Sequence, residues 1–158
     1  MQIKYNLYRI AIFYSYSFLF KEGDFLNNSN EYANKLYDNK KYKEAIIFYK
    51  RNIEYLLNEN IENYYKDNNT NLNKNYYNIG VCYIRLKDYD KALENFKLAL
   101  NYYKDTRYYF NIGYVYAMKE NIKKAYIYFN LAWSLKHDDN DCEKALKMLE
   151  NKMSFSNY

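Results

Sequence analysis

His137 is the only histidine of the chain, and it stands beside Asp138 and Asp139 in the stretch SLKHDDNDC. An imidazole next to two carboxylates raises the question of a metal ion. Helical metal sites set their ligands one turn apart, so that two donors converge on one ion. The sequence around His137 holds no such pair, and the residue reads as a solvated histidine at a helix end. Cys82 and Cys142 give neither ligand spacing nor a disulfide framework. Cys82 is expected to be a small core residue, and a reducing compartment fits this cysteine usage. No nucleophile stands with a base at a recognisable spacing, and the three glycines form no phosphate-cradling loop. Carboxylate pairs occur, as in any chain of this charge, but without an apolar pocket signature that would set their protonation apart. The expectation is a protein that is not an enzyme, with no catalytic residue, no metal and no cofactor.

Binding chemistry is richer. The sequence has 24 tyrosines and 24 lysines and arginines, the types that stack on bases and neutralise phosphates. No recognised nucleic-acid motif accompanies them, so nucleic acid is not the expected partner. The net charge of +5 is spread among 19 acidic residues and not massed in one run. Such a surface is solvated and mildly favours an acidic partner or a membrane surface. Asn, Lys, Ile and Tyr are abundant together, as A/T-rich codons would give, so a single Asn carries little weight.

Side chains of this kind act by being held in place, and the sequence shows what holds them. A length of 158 residues suits one domain, and the absence of proline favours helices joined by short loops. YYNIGVCYIRLKDYDKALENFKLAL, starting at Tyr76, returns as YYFNIGYVYAMKENIKKAYIYFNLAW, starting at Tyr108. Tyr76, Ile79, Gly80 and Tyr83 match Tyr109, Ile112, Gly113 and Tyr116; Tyr89, Ala92, Phe96 and Ala99 match Ile122, Ala125, Phe129 and Ala132. Spacings of three and four put each half on one helical face. Between the halves, Asp88 or Asp90 in one copy and Asn121 in the other can cap a second helix. Each copy therefore reads as two antiparallel helices, with Gly80 and Ala92 permitting close approach.

This pattern resembles the tetratricopeptide repeat (TPR), a helix-turn-helix unit of about 34 residues with aromatic, Gly, Tyr, Ala, Phe and Ala at these places. A weaker first copy lies at Tyr32–Ile53, where Ala33 takes the Gly place, Leu36 the Tyr place, Tyr49 the Phe place and Asn52 the last small place. Ala33 precedes Gly80 by 47 residues, about 13 more than one period of 34. Apolar residues stay in helical phase through Ile53, Leu56, Leu57, Ile61, Tyr64 and Tyr65, so the second helix of this copy is expected to run to about Lys66. DNNTN, residues 67–71, would then be the loop before the next helix.

The resemblance implies an all-α right-handed superhelix of three repeats, at about 26–72, 73–105 and 106–138. Stacked repeats need covered ends. NDCEKALKMLENK supplies a C-terminal capping helix at 139–153, with Ala145, Leu146 and Leu149 inward and residues 154–158 fraying. Residues 1–25 form the candidate N-terminal cover. Within them, Ile10–Phe20 follows Lys4 and Arg9 as a targeting segment would, but it is short for a membrane span and has no small-residue cleavage site. The expected location is cytoplasmic, or membrane-associated through this segment.

In this family the first helix of each pair lines a concave, peptide-binding groove. Alignment places Asn30, Asn34 and Tyr37 there, then Lys74, Tyr77, Asn78 and Arg85, then Arg107, Phe110, Asn111 and Tyr114, all outside the packing signature. The implied function is non-enzymatic binding of a peptide or partner segment. The alternative is a chaperone-docking adaptor. The long first repeat and NIGVCYIRL (78–86) are similar to the TPR domain of immunophilin-type co-chaperones, which hold C-terminal carboxylates with a Lys, Asn, Asn, Lys, Arg clamp. Those places read Asn30, Asn34, Asn78, Arg107 and Asn111 here, so two asparagines match and Arg107 keeps a charge. Type III secretion chaperones are three-repeat proteins of similar length, from which the inserted residues depart.

Overall fold

In a computed structural model, residues 25–58, 68–137 and 139–155 are described. They form seven α-helices: α1 (Phe25–Asp38), α2 (Tyr42–Asn58), α3 (Asn68–Arg85), α4 (Tyr89–Tyr102), α5 (Thr106–Met118), α6 (Ile122–Leu135) and α7 (Asn140–Phe155). Each packs on the next, and α3 also touches α5, the first helix of the following pair. The helices thus form stacked antiparallel pairs, as the sequence pattern predicts.

The pairs close over small residues. Ala33, Ala45, Ala92 and Ala125 are fully buried. At Gly80 an added Cβ would lie 2.6 Å from the Phe96 ring, and at Gly113 it would lie 2.9 Å from Phe129. The aromatic of each second helix thus fills the space the glycine leaves. Tyr49 takes the same role in the first pair, packed in one cluster with Ala33 and Ala45.

The turns inside the pairs share one geometry. Lys40, Lys87 and Glu120 adopt left-handed backbone with φ of 60°, 59° and 59°. In each case the following amide reaches back to close the helix: Lys41 N–H to Leu36 O, Asp88 N–H to Tyr83 O, and Asn121 N–H to Tyr116 O. This is the Schellman ending, which glycine ordinarily serves because a Cβ is crowded there. Lys87→Gly is therefore expected to stabilise the protein by roughly 1 kcal/mol, read as a higher urea midpoint at unchanged m-value. Asp88 and Asn121 then cap α4 and α6 by accepting from Lys91 and Lys124 amides. Of the two candidates for α4, Asp88 is the cap; Asp90 pairs instead with Lys119.

At the C-terminal end, Leu149, Leu146 and Ala145 of α7 pack on Ala125 and Phe129. Asp139 accepts from the Asp141 and Cys142 amides and so starts this helix. The helix continues through Phe155, two residues into the segment expected to fray.

One boundary needs correction. DNNTN is not a loop throughout: α3 begins at Asn68, about a turn before the expected start. No proline or glycine stands between residues 67 and 75, and Leu72, Asn73 and Asn75 are buried, so packing carries the helix upstream. The expected run of α2 to Lys66 passes outside the described residues after Asn58, and the N-terminal cover, including Ile10–Phe20, lies wholly outside them. Among the described residues, no helix is long and apolar enough to cross a membrane.

Both cysteines are buried and unbridged. Burial pushes the Cys82 thiol up to about 12 and the Cys142 thiol up to about 11. Thiol reagents attack the thiolate. At neutral pH the native protein should thus react only on the time scale of unfolding, and should show both thiols at once in denaturant. Fast labelling of Cys82 without denaturant would contradict this packing.

Candidate functional site

The candidate side chains come from three helices that share a face. Asn30, Asn34 and Tyr37 stand on α1, Lys74, Tyr77, Asn78 and Arg85 on α3, and Arg107, Phe110, Asn111 and Tyr114 on α5. Asn34, Lys74, Arg85, Arg107 and Tyr114 are exposed, and the others are half-buried. Two of the half-buried ones extend the core, contrary to the expectation that none would share in packing. The Tyr77 ring lies 5.8 Å from that of Phe96 and 5.0 Å from that of Tyr108, and Phe110 lies 5.1 Å from Phe129. A helix rotated enough to bury Gly80 or Gly113 also turns the residue three places earlier partly inward.

Tyrosine hydroxyls hold the amides. Tyr49 of α2 donates to Asn34 Oδ1 at 2.6 Å. Burial pushes its hydroxyl well above the usual tyrosine range, and a side-chain hydrogen bond with Asn78 partly offsets this. This phenol thus ties α2 to Asn34 of α1, with Asn78 of α3 near enough to act on it. Asn111 Nδ2 donates to the Arg107 carbonyl at 2.8 Å and to the Tyr77 hydroxyl at 3.3 Å. Asn30 is turned toward the core, accepting from Asn52 Nδ2 at 2.8 Å.

The cations differ in what already answers them. Arg107 donates from Nε and Nη2 to the two oxygens of Asp105, at 2.9 and 2.8 Å. The same carboxylate caps α5 through the Arg107 amide. Its hydrogen bonds to Arg107 hold Asp105 below the usual carboxylate range, and they raise Arg107 further above an already high value. Arg85 donates from Nε to the Tyr37 hydroxyl at 3.0 Å. Among the described residues, no carboxylate forms an ion pair with Arg85 or Lys74. His137, at the end of α6, meets Trp133 edge-on at 5.8 Å and lies apart from this face.

The sequence reading missed the residues beneath the face. Asn52, Asn73 and Asn75 are buried. Tyr108 donates to Asn73 Oδ1 at 3.0 Å, Asn52 Nδ2 approaches Asn75 Oδ1 at 3.4 Å, and Asn75 donates to the Asn71 carbonyl at 2.8 Å. Asn52 Oδ1 finds no partner among the described residues. One signal was readable: Asn52 stands where the later copies carry Ala99 and Ala132.

Tetratricopeptide-repeat family profiles match residues 74–106 and 108–139. Among curated proteins, none matches the sequence. Solved structures share the fold. The C-terminal TPR-containing domain of a Plasmodium falciparum protein described as FK506-binding is 19% identical, with a TM-score of 0.68 over 84% of this chain and 90% of that one. The first TPR of Spaghetti (RPAP3), bound to the HSP90 peptide SRMEEVD, is 18% identical with a TM-score of 0.67, over 82% of this chain and 93% of its own. The Yersinia enterocolitica type III secretion chaperone SycD, in complex with a peptide of the translocator YopD, is 17% identical with a TM-score of 0.66, over 82% and 95%. The inserted residues of the first repeat therefore do not set this fold apart from that of the secretion chaperones. At these identities the likeness is one of fold.

Proposed function

We propose that this chain, which has the tetratricopeptide-repeat fold, works as a non-enzymatic interaction module that holds an extended peptide segment along α1, α3 and α5. One observation carries the reading. Asn34, Asn78 and Asn111 recur on three successive first helices, and the hydroxyls of Tyr49 and Tyr77 hold the first and the last of them. A primary amide both donates and accepts, as a peptide backbone requires. Amides already fixed by phenols lose less freedom on binding than free ones would. Solved neighbours hold an HSP90 peptide and a YopD peptide, which supports a peptide as the occupant here.

The second reading is the chaperone-docking adaptor with a partial clamp at Asn30, Asn34, Asn78, Arg107 and Asn111. Its support is Arg107 together with Asn34 and Asn78. Against it stand the engagement of Arg107 by Asp105 and the turning of Asn30 toward Asn52. SRMEEVD, made with a free and an amidated C-terminus, separates the two, alongside amidated octapeptides selected on the protein from a random library. The selected peptides should bind wild type and Arg107→Glu within about threefold, and SRMEEVD should show no tenfold preference for its free carboxylate. A loss of tenfold or more both on amidation and on Arg107→Glu would make the protein a carboxylate-clamp adaptor.

A further inference from the structure

We infer that Arg85, and not Arg107, is the charge-reading residue of the α1–α3–α5 face, and that it takes an acidic side chain within the bound segment. This rests on the peptide-binding reading above. The cations of this face differ in whether a carboxylate already holds them. Arg107 has a bidentate carboxylate partner at 2.8–2.9 Å, so a ligand must displace Asp105 to use it. Lys74 is exposed and has no ion pair among the described residues, but nothing fixes its four-carbon stem. Arg85 combines both requirements. It has no carboxylate partner among the described residues, and the Tyr37 hydroxyl from the neighbouring first helix holds it by Nε at 3.0 Å.

That single hydrogen bond decides how the guanidinium is presented. With Nε engaged by Tyr37, both Nη groups stay available, and an arginine offers them as a planar fork that matches one carboxylate. The Tyr37 ring meets Tyr42 of α2 edge-on at 5.3 Å, so the fork stands beside phenols of α1 and α2, and Tyr114 of α5 is near enough to act on its charge. Tyr114 is 38% exposed and Met118, one turn along α5, is 47% exposed. Apolar contact is thus on offer beside the cation. The partner chemistry that fits is a Glu or Asp followed or preceded closely by an apolar residue, in an extended segment with no requirement for a free C-terminus.

The test uses the full chain and a library of amidated octapeptides, apolar at random positions, with one internal position fixed as Glu or as Gln. Wild type should enrich Glu peptides over Gln peptides about tenfold at low salt, falling as salt screens the contact. Arg85→Gln should abolish that preference while still binding the Gln peptides. Tyr37→Phe should reduce it, and Arg85→Lys should restore part of it. Lys74→Gln and Arg107→Gln should leave it unchanged. Equal enrichment of Glu and Gln peptides by wild type would overturn the inference and leave the peptide groove standing, as would loss of preference in Lys74→Gln or Arg107→Gln instead. Absence of binding by every peptide would overturn both.

Discussion

Replacing Gly80 by leucine is expected to cost on the order of 3 kcal/mol of stability. Even the first added carbon lies 2.6 Å from the Phe96 ring, and Phe96 is fully buried. A ring in that position cannot swing to water; it must push α3 and α4 apart or leave its rotamer. Gly80→Ala should already be harmful, and Gly113→Leu should behave alike with slightly more room, since its Cβ would stand 2.9 Å from Phe129. Urea unfolding followed by circular dichroism reads the effect. A parent-like midpoint for Gly80→Leu would mean that the α3–α4 pairing described above is wrong.

The second large effect concerns binding. Alanine at Asn78 is expected to weaken binding of selected amidated octapeptides by about 1–3 kcal/mol, because a desolvated peptide group loses its partner. Asn78 lies outside the packing signature read from the sequence. The structure adds a condition: the buried Tyr49 hydroxyl donates to Asn34, and Asn78 is near enough to act on the same hydroxyl. Stripping both amides leaves a phenol without partners, so Asn34→Ala with Asn78→Ala should also lower the melting temperature. A Tyr49→Phe background removes that complication, since exposed Asn34 can turn to water. There the alanine variants should lose binding and keep the stability of their Tyr49→Phe parent. Adding Asn111→Ala should deepen the loss. Undiminished affinity in the triple variant would move the working surface elsewhere, for example to the α2 helix that carries exposed Ile47 and Leu57.

The parts of this architecture that were legible share a physical cause. Gly80, Ala92, Phe96 and Ala99 recur because close helix packing tolerates few residues at a crossing, and their spacing survives in Gly113, Ala125, Phe129 and Ala132. The caps Asp88 and Asn121 were readable because a cap lies within a turn of the amides it serves. The buried asparagines were not readable. An Asn looks solvated in any hydropathy pattern, and its partners stand on other helices: Asn30 with Asn52, and Asn73 with Tyr108. Nor did the spacing of Asp105 and Arg107 disclose that one carboxylate both caps α5 and occupies the guanidinium. At the binding face the alignment could choose positions but not their states. It could not separate the packed Tyr77 and Phe110 from the exposed Tyr114, because rotation of a helix by a fraction of a turn decides that.

The most direct measurement is an NMR titration of the isotopically labelled full chain with a selected amidated octapeptide. Side-chain amide signals of Asn34, Asn78 and Asn111 are resolved reporters that depend on no mutation. These three should shift together and saturably, along with backbone amides of α1, α3 and α5, while amides around Ile127 and Leu131 on the outer side of α6 stay still. Saturable shifts confined to α2, α4 and α6, with the three asparagine side chains unmoved, would contradict it.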